Sequence, residues 1–273
     1  QDPIQKEAFV EAFGTAKRIS FEIYDESLGG YSRTRNDNGT LMMGARMMKQ
    51  GRYKRVLAGG VDAMAAFTLN GFRSLMIYDA EYCRPFDASR AGLNLGEGAA
   101  YLLIETEDSL QETGNKPLAI LSGWGNANDA YHQTASSPDG NGATMAMQNA
   151  LKCAGLQPEQ ISYVNAHGTA TPNNDLSESK ALINVFGGNV PKFSSTKAFT
   201  GHTLAAAGGV EAVYATLALQ HGALYPNLNF KTPIEECGLV PVTEYSEGNS
   251  INYVLSNSFG FGGNNSSLIF GKI

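Results

Sequence analysis

The chain has 273 residues, 42% of them hydrophobic, enough for one large or two moderate domains with a real core. A formal net charge of −6, a pI near 5.3 and the lack of any basic tract argue against a nucleic-acid partner. Cys83, Cys153 and Cys237 are odd in number, far apart and without CxxC spacing, which speaks against a disulfide framework or a zinc site.

That cysteine usage fits a reducing cytoplasm, no apolar run approaches the length of a membrane span, and no secretory signal opens the chain. The sequons at Asn264 and Asn265 are accordingly read as unused. The first residue is Gln1 rather than Met, so an N-terminal part is expected to precede it.

Residues 1–38 are the least legible: "QKEAFVEAFGTAKRI" suits a short amphipathic helix and "SLGGYSRTRNDNG" a polar loop. From Thr40 the pattern sharpens. "TLMMGARMMKQG" sets Leu41, Ala45 and Met48 on one helical face and stops at Gly51. "RVLAGG" reads as a short buried strand, and "VDAMAAFTLNGFRSL" as a second helix. "AAYLLIET", nearly continuous in apolar character, and "PLAILSGWGN" are the next strands. "GATMAMQNALKCAG" is a helix ended by Gly155. Then come "ISYVNAHG" (strand), "LSESKALINVFG" (helix), "KFSST" (strand) and "AAAGGVEAVYATLALQHG" (helix). The end, "SINYVLSNSFGFGGNNSSLIFGKI", is two strands around a Gly-rich turn. Alternating strands and helices predict βαβ units, with helices packed on a buried sheet.

Three stretches carry chemistry. In "NAHGTATPNND", His167 leaves a β-branched run and enters turn residues, the place where open α/β sheets present reactive groups; a core histidine with a satisfied hydrogen bond reads equally well. "SSTKAFTGHTLAAAGG" sets Lys197 and His202 just after a strand. "SNSFGFGG" offers backbone N–H groups able to hold an oxyanion. Each stretch has a bland reading of its own (a surface lysine, a histidine at a helix start, a flexible loop). All three at strand exits are harder to dismiss together.

The order "VNAHGTATPNND … SSTKAFTGHTLAAAGGVEA … LSNSFGFGGNNSSLIF", preceded by "RPFDASRAGLNLGEGAAYLLIE", closely resembles the β-ketoacyl-acyl-carrier-protein synthases, elongating condensing enzymes of the thiolase superfamily. The resemblance runs from about Thr40 to Ile273. It implies an α/β, thiolase-like fold, with the C-terminal half (106–273) largely complete and 1–105 a remnant of the N-terminal half, 1–38 unassigned. It also implies a decarboxylative Claisen condensation in fatty-acid or polyketide elongation, in which malonyl-carrier protein loses CO₂ and the carbanion attacks an acyl thioester. His167 and His202 match the two catalytic histidines, and Lys197 the lysine that orients and polarises the site. Glu178 matches a supporting glutamate, and Thr169 and Thr171 the hydroxyls that hold the phosphopantetheine arm. Phe261 matches the gating phenylalanine, whose N–H serves the acyl oxyanion hole, with Phe259 its neighbour. The partners implied are an acyl carrier protein, which brings the 4′-phosphopantetheine, and a second synthase subunit in a homodimer or heterodimer. "NGFRSLMIYD" is a candidate for that interface or for core. No metal, resident cofactor, nucleic acid or membrane is implied, and the setting is the cytoplasm.

One departure stands out. The family nucleophile is a cysteine opening the helix before the "AGG" strand, where a helix N-terminus lowers thiol pKa. Here that position falls near Thr34, amid Arg33, Arg35, Asn36 and Asp37, and holds no cysteine. None of Cys83, Cys153 or Cys237 opens a helix in the right place. The chain is then either a fragment or deletion product of an intact synthase gene, the preferred expectation, or a natural nucleophile-less relative. The alternatives to condensation are a chain-length-factor-like partner subunit and a malonyl-carrier-protein decarboxylase.

Overall fold

A computed structural model of the chain describes residues 38–273. The expected N-terminal helix and the Thr34 position lie outside these residues. Helix α1 (Asn38–Lys49) buries Leu41, Met42, Ala45 and Met48, the face that its spacing predicts. Strand β1 (Arg55–Asp62) pairs antiparallel with β2 (Gly98–Glu105) in a two-stranded ribbon, Leu57 opposite Leu103 and Gly59 opposite Tyr101. Between them α2 (Ala66–Ser74) is shorter than the expected 61–75, because Val61 and Asp62 stay in the β1 ladder. None of its residues is buried. Helix α3 (Glu107–Thr113), absent from the sequence reading, is capped by Thr106, whose side chain accepts from Ser109 N, and is ended by Gly114 in the left-handed region.

The main sheet has five strands: β3 (Ile120–Asn128), β4 (Tyr163–Asn165), β5 (Lys192–Ser194), β6 (Tyr253–Gly260) and β7 (Asn264–Gly271). Their order is β3-β7-β6-β4-β5, with β4 parallel to both β5 and β6 and the other pairs antiparallel. One face is covered by α4 (Asn141–Ala154) and α5 (Pro172–Phe186), through Ala146, Met147, Ala150, Ala181 and Leu182. The other face packs on α1 and α7 (Ala207–His221), whose Ala212, Ala215, Ala218 and Leu219 meet Tyr163, Val254, Leu268 and Phe270. Adjacent residues of β6 and β7 alternate between these two cores, Val254 and Leu268 in one, Leu255 and Ile269 in the other, as a sheet buried on both sides requires.

Several expected boundaries move. The strand at 161–168 is only Tyr163–Asn165. The stretch 172–175, read as a turn, is the first turn of α5, with Pro172 at a position where its missing N–H costs nothing. A short helix α6 (Lys197–Thr200) and a 3-10 turn (Leu204–Ala206) precede α7, so His202 sits between them rather than entering a long helix. Strand β2 was read as nearly continuously apolar, which suits burial on both faces. Yet Leu57, Val61, Tyr101 and Leu103 are exposed on one face of the ribbon, while Ala58, Val56, Leu102 and Ile104 pack inward. No helix among the described residues is long and apolar enough to cross a membrane.

Candidate active site

Strands β4, β5 and β6 are mutually parallel neighbours, with Asn165 level with Ser194 on one side and Ser256 on the other. Their C-terminal ends therefore lie along one edge, and the three motif-bearing exits converge there. The chain leaves β4 through His167 and Gly168, leaves β5 through Ser195 and Lys197, and leaves β6 through Phe259 and the Gly-rich turn. Gly168 has φ +36, and a Cβ there would lie 2.5 Å from Ser195 Cβ and 2.7 Å from a Phe86 ring carbon. A side chain after the histidine has no room, which accounts for the His-Gly pair.

The two histidine rings stand 5.2 Å apart at 85°. His167 is buried and His202 keeps part of its surface open. Burial holds both imidazoles well below their ordinary pKa, reinforced by the positive charge of Lys197. Both rings are therefore neutral near pH 7. His202 Nδ1 accepts the Leu204 N–H at 3.2 Å, so its proton is on Nε2. Lys197 Nζ lies 3.2 Å from His167 Nδ1, and an ammonium only donates, so the His167 proton is on Nε2 as well. Each ring thus has one N–H left to offer.

Three buried carboxylates hold this arrangement. Glu178 accepts the backbone N–H groups of His167 (2.9 Å) and Gly168 (2.8 Å) and the side chain of Asn257 (3.1 Å). Burial outweighs these donors and pushes its pKa up to about 7. Asp175 accepts from Phe86 N (2.7 Å) and Ala170 N (3.1 Å), which ties the loop after β4 to the "RPFD" segment. Glu211 on α7 pairs with Lys197 Nζ, the two side chains each 3% exposed. Burial pushes Glu211 up to about 7 against the pull of that cation. The sequence reading missed both Asp175 and Glu211. The signal for Glu211 was available: one acid amid "AAAGGVEAVYATLAL" needs a buried partner.

The remaining expected residues divide. The Thr169 and Thr171 hydroxyls are 2.9 Å apart beside His167. The buried ring of Phe259 lies 5.6 Å from His167, whereas Phe261 stacks on Phe72 at 5.8 Å with 24° between planes. The phenylalanine ring at His167 is therefore Phe259. Cys83 is buried, its thiol pushed up by burial and directed at the Lys197 carbonyl (3.7 Å); Cys153 is exposed on α4. Cys237 lines an open cleft with Asp139 and Lys180. Among the described residues no cysteine sulfur is within hydrogen-bond reach of either imidazole.

Sequence profiles of the β-ketoacyl synthase N-terminal and C-terminal domains match residues 40–109 and 118–231. The chain belongs to the β-ketoacyl synthase family. It is 38% identical to 3-oxoacyl-[acyl-carrier-protein] synthase 2 of Staphylococcus aureus over 265 residues, 93% of this chain and 64% of the relative. To the synthase of the same name from Synechocystis it is 39% identical over 236 residues, 83% of this chain and 57% of the relative. The chain thus spans less than two thirds of the length of these synthases. Among solved structures it superposes on the ishigamide ketosynthase/chain length factor (TM-score 0.83, 32% identity, 87% of this chain and 58% of that one). It superposes equally on a β-ketoacyl synthase from Burkholderia phymatum (TM-score 0.83, 33% identity, 87% and 59%). The fold is thiolase-like.

Proposed function

We propose that this chain carries the decarboxylating, enolate-stabilising machinery of a β-ketoacyl synthase. The observation that carries the reading is the pair of neutral imidazoles, 5.2 Å apart at right angles, each engaged at Nδ1 and each left with an Nε2–H. When a malonyl thioester loses CO₂, the electrons of the breaking C–C bond move onto the thioester carbonyl oxygen as an enolate. Two N–H donors converging on that oxygen, in a site with little water, stabilise the charge as it develops. His167 and His202 are the donors. Lys197 holds His167 in the required tautomer, and Glu211 compensates the lysine's buried charge. Glu178 fixes the His167–Gly168 backbone, and Phe259 supplies an apolar wall. The Thr169 and Thr171 hydroxyls face the thioester's phosphopantetheine arm, which arrives as part of the carrier-protein substrate.

In condensation, the enolate carbon attacks an acyl thioester carbonyl, a new C–C bond forms and the thiolate leaves. The family's nucleophile position, where the acyl group would be held, falls near Thr34, outside the described residues. The partners that fit this reading are an acyl carrier protein and a second synthase subunit. The S. aureus relative is named for a carrier-protein thioester, and one structural relative is a ketosynthase in complex with its chain length factor.

The test is incubation of the purified chain with malonyl-carrier protein, followed by CO₂ release and intact-mass spectrometry. Release that disappears in a His167→Ala, His202→Ala double variant supports the proposal. No release from the parent overturns it. A covalent adduct after acyl-carrier protein, mapped to one cysteine, extends the activity to full condensation; acetyl-carrier protein alone confines it to decarboxylation.

A further inference from the structure

Lys197 and His202 sit at the two ends of one six-residue segment, closed on itself by Gly201 N donating to the Lys197 carbonyl (2.8 Å) and by the Thr200 hydroxyl donating to the Gly201 carbonyl (2.8 Å). It is a single helical turn followed by Gly201 at φ +68, a residue free to move wherever its surroundings allow. These bonds fix its turn but not its position, and the backbone around His202 rests on the loop between Tyr78 and Gly96.

At the His202 end the contact is backbone on backbone. His202 N donates to the Asn94 carbonyl (2.8 Å), and Gly96 N donates to the His202 carbonyl (3.1 Å). The approach is so close that a Cβ on Gly96 would lie 1.9 Å from the Thr200 carbonyl oxygen, and one on Gly201 2.7 Å from Gly96 N. At the Lys197 end Lys197 N donates to Ser195 Oγ (3.2 Å) and its Nζ pairs with Glu211, and the loop adds the Cys83 sulfur, 3.7 Å from the Lys197 carbonyl oxygen. Burial raises the thiol pKa, so the sulfur keeps its proton and is a donor.

One side chain joins these two supports. Asn94 Oδ1 accepts the Cys83 N–H at 2.7 Å, and Asn94 Nδ2 donates to the carbonyls of Glu81 (3.0 Å) and Asp79 (3.4 Å). The amide thereby staples residues 79–83 to the stretch whose own carbonyl grips His202. Arg84 braces the outer side of the loop, bridging Asp79 (3.1 Å) and Glu81 (2.9 Å). Neither Asn94 nor Cys83 makes a hydrogen bond to either imidazole or to the site carboxylates.

We infer that Asn94 is a positioning residue for His202 and that, with Cys83, it fixes both ends of the Lys197–His202 segment. The catalytic consequence rests on the function proposed above; the effect on His202 does not. An oxyanion donor displaced by about 1 Å can cost about 100-fold in rate, so a staple remote from the substrate is expected to act on turnover.

The test uses the full 273-residue chain with Asn94→Val and Asn94→Thr, which differ by a methyl in place of a hydroxyl able to accept from Cys83 N. The four histidines are followed by ¹⁵N long-range imidazole spectra, assigned with single His→Ala variants. In the parent, His202 holds one tautomer with its proton on Nε2. In Asn94→Val, the His202 signals move to a tautomeric average, and those of His167 move less. kcat for CO₂ release then falls about 100-fold with KM within about threefold. Asn94→Thr shows the same changes at smaller size. A folded Asn94→Val with parental His202 signals overturns the inference, and so does a rate loss with those signals unmoved. If Asn94→Val gives no cooperative melt, Cys83→Ala decides: it deletes only the sulfur contact, and the Lys197-linked signal of His167 is expected to move with an about tenfold lower kcat. Unmoved signals and rate in that variant overturn it. A parent that releases no CO₂ defeats the functional proposal alone, because the His202 spectra still read the staple.

Discussion

Glu178 shows how a single buried side chain shapes the site without reaching the chemistry. Its carboxylate receives two consecutive backbone N–H groups, those of His167 and Gly168, which sets the direction in which the chain leaves β4 and hence where the imidazole points. Glu178→Gln keeps one acceptor oxygen but sets an NH₂ group against donors, and is expected to cost about 1–3 kcal/mol in urea unfolding. That cost depends on pH. The folded carboxyl titrates at about 7 against an ordinary 4.5, so between these values the folded state holds a proton that the unfolded chain has released. Its contribution is full below about 4.5 and is lost as pH rises through about 7. The gap in thermal stability between parent and Glu178→Gln should therefore narrow from pH 5 to pH 8. Under the proposed function, His202→Ala removes one of two oxyanion donors. It is expected to lower CO₂ release from a malonyl thioester by about 100- to 1,000-fold, with the fold retained by circular dichroism.

At the scale of elements, the site depends on helices lying very close to strands, and small residues permit it. Helix α4 rests on β3 where Gly125 faces it: a Cβ there would lie 2.1 Å from the Ala146 carbonyl oxygen and 2.5 Å from Ala150 N. Gly125→Ala is expected to cost about 1–3 kcal/mol, read as a lower midpoint in chemical denaturation with an unchanged slope. The alanine-rich face of α7 serves the same purpose on the other side of the sheet, and it brings Glu211 to Lys197. Long periodic helices and the final pair of strands were legible from spacing and glycine stops, as at Gly51 and Gly155. The exact extent of the short pieces was not. Strands β4 and β5 are read in place but too long, and α6, with four residues, has too few for a period to show. The first turn of α5 was misread because Asn173, Asn174 and Asp175 suit turns as well as helix N-termini.

Across the whole molecule, burial is uneven. Leu255 is fully enclosed between the sheet and its helices, whereas Leu103, in an equally apolar strand, is 55% exposed. Leu255→Ala is expected to lose about 2–5 kcal/mol, and Leu103→Thr to stay within about 0.5 kcal/mol, in parallel thermal and urea unfolding. Equal losses at the two positions would mean that the ribbon's outer face is covered in solution. The sequence by itself determined the family, the alternation of strands and helices, and the presence of His167, Lys197 and His202 at strand exits, because period and turn chemistry are local properties of the chain. Only the tertiary structure decided that these exits meet. The motifs on β4, β5 and β6 converge because the three strands lie side by side and run the same way. That same adjacency sets Phe259 rather than Phe261 at His167, and the packing of α7 and of the loop before β2 gives Lys197 its partner in Glu211 and seats His202 on Asn94. Pairings between residues far apart in sequence follow from which strands are neighbours in the sheet, and no local pattern encodes that.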